Sequence, residues 1–164
     1  MTTVVKRSIL YIEDDAESRA MMSDILHIHG YHFFGAARGL EGIRMATREL
    51  PDLILIDINL PDMNGFEVTS LLRAIKSLEN VPIVAISVDT GDESRERMIS
   101  AGCDGFISKP IKISEFLVEI EEYLKGRKEV IAPENEKRYL TEYNVRLGER
   151  LQNKIEELEK ANKE

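Results

Sequence analysis

Four uninterrupted aliphatic residues, Leu53 to Ile56, run into a carboxylate at Asp57. A charge at the tip of so apolar a run costs on the order of several kcal/mol unless a counter-charge meets it. Candidates for that role stand at the ends of other apolar runs. "SILYI" (8–12) is followed by Glu13, Asp14 and Asp15, "PIVAIS" (82–87) closes on Ser87, and "GFIS" (105–108) leads into Lys109 and Pro110. Clustered carboxylates repel one another and call for a cation. Oxygen-only ligands suit Mg2+, which keeps several of its waters. Lys109 is a point charge for a carboxylate, or for a phosphoryl group carried on one. Ser87 can donate to a phosphoryl oxygen. A carboxylate nucleophile that forms an aspartyl phosphate is established chemistry. Its catalysis consists of positioning and charge neutralisation. Singly, such acids have plainer readings, and Asp15 reads as the N-cap of the first helix. Jointly, these residue types at four strand ends point to a site.

The elements that must position these residues follow from periodicity. Short apolar runs at 8–12, 31–36, 52–57, 82–87 and 105–108 alternate with helical patterns at about 15–29, 38–49, 64–78, 90–101 and 113–124. Gly30 is a stop signal for the first helix. Strict alternation over five βα units predicts an α/β fold, a doubly wound parallel sheet with helices on both faces. Runs such as "LILI" and "PIVAI" fit strands buried on both sides. Ligands of such sheets bind outside the carboxyl ends of the strands, where the candidates stand. The alternation ends at "KGRKEVIAPENEK", with Gly126 and Pro133. Residues 1–125 therefore read as the domain, 126–135 as a linker, and 136–164 as an amphipathic C-terminal helix. In that tail Leu140, Tyr143, Leu147, Leu151, Ile155 and Leu158 step by 3, 4, 4, 4 and 3 residues along one stripe. An isolated helix with such a stripe is marginal in water. The spacing predicts a coiled coil, locally unwound by its extra four-residue step, and a parallel homodimer. Folding back onto its own domain is the alternative.

Charge narrows the function. The net charge is −8; residues 1–125 carry 13 basic and 21 acidic residues, and the rest carry 9 of each. This distribution offers phosphate backbones no basic face and anionic lipid no attraction, so neither nucleic acid nor membrane is an expected partner. One cysteine, Cys103, precludes an internal disulfide framework. No run reaches the ~18 apolar residues of a membrane span. The start "MTTVVKRSILYIEDD" lacks a signal-peptide pattern. The expected compartment is cytoplasmic. His27, His29 and His32 lie close in sequence, but 27 and 29 do not share a helix face, so a metal role is set aside. Cys103 and Met21, Met22, Met45 and Met98 are expected to pack in the core.

"ILYIEDD", "LILIDINLPDMNGFE", "PIVAIS" and "GCDGFISKP" together resemble the motifs of the receiver domain of two-component response regulators, over about residues 7–125. The wording is similar to that of single-domain regulators and hybrid kinases. The resemblance implies a flavodoxin-like (βα)5 fold with strand order 2-1-3-4-5. It implies that Asp57 takes a phosphoryl group from the phosphohistidine of a histidine kinase or phosphotransfer protein. It also implies Mg2+ held by Asp14, Asp57 and the backbone carbonyl of Asn59, with Glu13 acting through water. Ser87 and Lys109 would then close on the phosphoryl group and Phe106 would turn inward, remodelling the face of the fourth helix, fifth strand and fifth helix. The Lys109–Pro110 bond is expected to be cis. Beyond its own phosphorylation and dephosphorylation no enzyme activity is implied. Three residues depart from the pattern. Val88 stands where a small residue is usual, Asp89 adds an acid, and Phe106 replaces a common tyrosine. The first two are expected to alter the rate of phosphoryl loss. Two other readings fit the sequence less well. A haloacid-dehalogenase type phosphatase wants Asp-x-Asp on its first strand, whereas strand three here reads Asp57-Ile58-Asn59. A structural dimerisation module would not need the acidic set and Lys109. A fragment of a larger regulator or hybrid kinase is a further alternative.

Overall fold

Leu53–Asp57 forms a strand with every residue buried, and so does Ile83–Ser87. In the computed structural model, which describes residues 6–88, 91–130 and 148–160, these are β3 and β4 of a five-stranded sheet. The others are β1 (Ser8–Ile12), β2 (His32–Ala36) and β5 (Gly105–Ser108). All pairings are parallel and the order is β2-β1-β3-β4-β5, the flavodoxin-like order expected. β1 and β3 are therefore interior neighbours, and their C-terminal ends open side by side.

The pleat sends alternate residues to opposite faces. Ile9, Tyr11, Leu53, Leu55, Val84 and Ile86 pack on one face against Met22 and Leu26 of α1 (Ala16–Ile28) and Phe116, Ile120 and Tyr123 of α5 (Ile113–Leu124). Leu10, Ile12, Ile54, Ile56, Ile83 and Ala85 pack on the other against α2 (Gly39–Glu49), α3 (Gly65–Ala74) and Met98 of α4 (Asp92–Ala101). Each fully buried Ile or Leu contributes roughly 1.5–3 kcal/mol.

The helix limits carry local causes. Asp15 caps α1, accepting from the Ser18 amide at 3.1 Å. Gly30, at φ 85°, turns the chain away after α1, as its residue type predicts. Two expectations fail. The single helix over 64–78 is instead α3 followed by a short 3-10 turn at Lys76–Leu78, with Ile75 extended at ψ 117° between them. Arg73 is the cause: its guanidinium donates to the carbonyls of Leu78, Glu79, Val81 and Gly102 and pairs with Asp104 at 2.6 Å. Those carbonyls converge on one side chain only if the chain wraps around it. Met21 is 60% exposed, while Met22 and Met98 are buried as expected. The neighbouring position, not Met21, meets the core stripe of α1.

Residues 148–160 are helical, within the predicted tail. Leu140, Tyr143 and Leu147 lie outside the described residues. Arg150 pairs with Glu67 and donates to the Asp62 carbonyl at 3.1 Å.

Candidate functional site

The strand tips bring the charged candidates together. Glu13 follows β1, Asp57 ends β3 and Lys109 follows β5. Lys109 Nζ lies 2.9 Å from Asp57 Oδ2 and 3.2 Å from Glu13 Oε2. The carboxylates of Glu13, Asp14 and Asp57 each present an oxygen within 4.8 Å of the others. Glu13 and Asp57 are buried, and Asp14 is exposed. The second oxygen of Asp57, Oδ1, accepts from the Asn59 amide at 2.8 Å. This is how the fold tolerates a carboxylate at the end of its most apolar strand: an ammonium holds one oxygen and a main-chain amide the other.

The titration behaviour follows. Burial, together with the hydrogen bond and charge of Asp57, pushes Glu13 up to about 7, against the pull of Lys109. Burial also pushes Asp57 up, but hydrogen bonds from Glu13, Lys109 and the Asn59 amide outweigh it and hold the group below its ordinary value. Burial lowers Lys109, yet the two carboxylates prevail and keep it firmly protonated. Of the two buried acids Glu13 is therefore the readier to take a proton. That is the behaviour of a donor set short of positive charge, and an all-oxygen set of this kind fits Mg2+.

Ser87 is 2% exposed at the tip of β4, and its carbonyl accepts from the Lys109 amide at 2.8 Å. Asn59 lies two residues after Asp57 and bridges to Asn64, shaping the loop between β3 and α3. Phe106 does not join the carboxylates. It is 9% exposed and packs with Ala85, Met98 and Cys103, so its ring is already inward. Val88 is 70% exposed beside the site, whereas Asp89 lies outside the described residues. The Lys109–Pro110 bond is cis. His27, His29 and His32 are exposed, and His29 Nδ1 lies 2.8 Å from the Ile25 carbonyl. Among the described residues only the acidic group has metal-holding geometry.

Three supporting residues escaped the sequence reading. The Tyr11 hydroxyl lies 3.4 Å from Glu13 Oε2, and Arg19 donates to the Glu13 carbonyl at 2.6 Å. Asp62 caps α2 from a distance, accepting from the Gly39 and Leu40 amides at 2.8 and 3.1 Å, where Arg38 supplies no side-chain cap. Asp62 thereby ties the loop after Asp57 to a second helix. Local spacing carries no signal for a cap 23 residues away.

A family model, described as the response regulator receiver domain, matches residues 9–121. The chain belongs to the response regulator receiver family. The match runs from β1 into α5 and takes in every site residue named above. This receiver is 34% identical over 118 residues to the polar-differentiation response regulator DivK of Brucella ovis, covering 72% of this chain and 96% of that one. It resembles the chemotaxis response regulator CheY4 of Vibrio cholerae, with TM-score 0.69, 27% identity and coverage of 72% and 98%. It also resembles the receiver domain of the sensor histidine kinase PA1611 of Pseudomonas aeruginosa, with TM-score 0.69, 28% identity and coverage of 74% and 100%. That structure carries a magnesium ion coordinated in its active-site cleft.

Proposed function

We propose that this receiver is a phosphorylation-activated regulator whose phosphoacceptor is Asp57. A histidine kinase or a phosphotransfer protein is the donor. The observation that carries this reading is the position of Asp57, buried at the tip of β3, 2.9 Å from Lys109 and clustered with Glu13 and Asp14. A carboxylate oxygen of Asp57 forms a bond to phosphorus as the phosphorus–nitrogen bond of the phosphohistidine breaks. The electron pair of that bond leaves with the imidazole. Lys109 stays protonated throughout and meets the phosphoryl oxygens, and Ser87 donates a hydrogen bond to one of them. Asp14, Asp57 and the Asn59 carbonyl would hold Mg2+, with Glu13 acting through water. Bound there, Mg2+ neutralises the charge gathered between acceptor and phosphoryl group. With the Phe106 ring already inward, α4 carries the change to the face of α4, β5 and α5. The chain works in the cytoplasm and catalyses only its own phosphorylation and dephosphorylation.

Residues 1–125 form the receiver, 126–135 the linker and 136–164 a coiled-coil helix through which two copies pair. Leu151, Ile155 and Leu158 support the pairing. They lie on the helix over 148–160 and are each more than half exposed, so the receiver does not bury that part of the stripe.

Incubation with acetyl phosphate tests the acceptor reading. With millimolar Mg2+ the intact mass rises by one phosphoryl group, and with chelator it does not. No gain under either condition overturns the proposal.

A further inference from the structure

The main chain does not leave the receiver where α5 ends. Gly126, at φ 107°, turns it back. Arg127 N donates to the Glu122 carbonyl at 3.0 Å, and Glu129 N donates to the Asp104 carbonyl at 2.7 Å, at the entry to β5. The Glu129 carboxylate then joins separate elements. Oε2 lies 3.1 Å from Arg95 Nη2 on α4. Oε1 lies 2.8 Å from Arg127 Nη2, and the Tyr123 hydroxyl of α5 donates to it at 3.5 Å. Arg127 stacks 4.9 Å from the centre of the Tyr123 ring and pairs with Glu122 at 2.6 Å. The Tyr123 ring lies over Gly105, where an added Cβ would fall 2.1 Å from it. One acid thus fastens the linker across α4, β5 and α5.

The fastening is suited to release. Its ion pairs are partly exposed, with 45% of the Arg95 side chain in solvent, and such pairs are weak. Val130, the apolar residue of the segment, is 88% exposed and anchors nothing. The partner helix is loosely held too. Only Met98 and Ala101 of α4 are buried, and elements with few buried apolar contacts move most cheaply. α4 begins at Asp92, five residues after Ser87, and Arg95 sits in its first turn. This short connection is the path by which a displacement of Ser87 would reach Arg95.

We propose that residues 126–130 are a releasable clasp. In the unphosphorylated receiver Glu129 holds the linker over the face of α4, β5 and α5. Phosphorylation of Asp57 moves α4, breaks the Arg95–Glu129 pair, and frees the face from the linker. The clasp rests on the phosphoacceptor reading above. By reciprocity, anything that opens the clasp favours the activated state.

The test uses the full chain with Mg2+ and beryllofluoride, a phosphoryl mimic, and has two readouts. Fluorine NMR reports bound beryllofluoride, and nitrogen-resolved hydrogen exchange reports the Glu129 amide. At saturation that amide exchanges at least about tenfold faster than in the free protein. Glu129→Gln and Arg95→Ala exchange fast without the mimic and bind it roughly fivefold tighter, the lower end of typical coupling between sites. A merely structural defect would weaken binding in both. Bound beryllofluoride with unchanged Glu129 exchange, or no gain in affinity in either variant, overturns the clasp alone. No bound signal in the wild type overturns the phosphoacceptor reading and the clasp's trigger with it.

Discussion

Glu13 and Asp57 face one lysine and respond in opposite directions, and this gives the site a pH signature. Glu13 is raised from 4.5 to about 7 by burial and by Asp57. A carboxyl raised in the fold contributes stability that is fully present below its unfolded value and lost as pH rises through its folded value. Asp57 is lowered from 3.8, so its contribution is present above that value and lost only at more acid pH. Between pH 5 and 8 Glu13 therefore contributes the slope of the site, and Glu119 on α5, raised chiefly by burial, adds to it in the same direction. In chelator, thermal melts of the wild type should fall by several degrees across this range, for a loss on the order of 1–3 kcal/mol. Glu13→Gln should lose most of this slope and keep the part due to Glu119, and saturating Mg2+ should raise the wild-type melting temperature most at the high end. Parallel slopes for wild type and variant in chelator would reject the raised Glu13 carboxyl. At this scale the main actors were readable because each ends an apolar run, and the topology of a parallel sheet gathers such ends. Tyr11, Arg19 and Asp62 were not, because their partners are fixed by tertiary approach rather than by neighbours in sequence.

The elements were readable wherever one period dominated. "LILI" and "PIVAI" became strands buried on both faces, and the caps at Asp15 and Gly30 behaved as their residue types predict. Residues 64–78 carry a helical pattern throughout, and the break at Ile75 comes from a competing tertiary demand, the carbonyls gathered by Arg73. Close backbone approach was equally invisible. Gly105 reads as an ordinary strand start, yet the Tyr123 ring occupies the space of its missing Cβ. Gly105→Ala must push α5 from β5 or force Tyr123 off its rotamer. Urea unfolding should show a loss of about 1–3 kcal/mol, the usual cost of overpacking. A stability within about 0.5 kcal/mol of wild type, the range of ordinary surface substitutions, would show that the contact yields freely.

For the molecule as a whole, alternation and the four motif stretches specified a receiver, and the family match over 9–121 bears that out. The tail was less legible, because an amphipathic stripe states that something must cover it and not what. Leu151, Ile155 and Leu158 are exposed, while Arg150 of the same helix reaches Glu67 and the Asp62 carbonyl of its own receiver, so polar contacts meet the receiver and the apolar stripe is left uncovered. Light scattering at tens of micromolar should give a dimer for 1–164 and a monomer for 1–125, both without phosphodonor. A monomeric full chain would reject the coiled coil. The central claim is that Asp57 carries the phosphoryl group, with the other acids serving the cation. Borohydride reduction of the acetyl phosphate-treated protein converts a phosphorylated aspartate to homoserine, and peptide mass spectrometry then locates it. The account predicts homoserine at position 57 alone, and none anywhere in Asp57→Asn. Homoserine at Asp14 or Asp15 in the wild type, or undiminished conversion in Asp57→Asn, would contradict it.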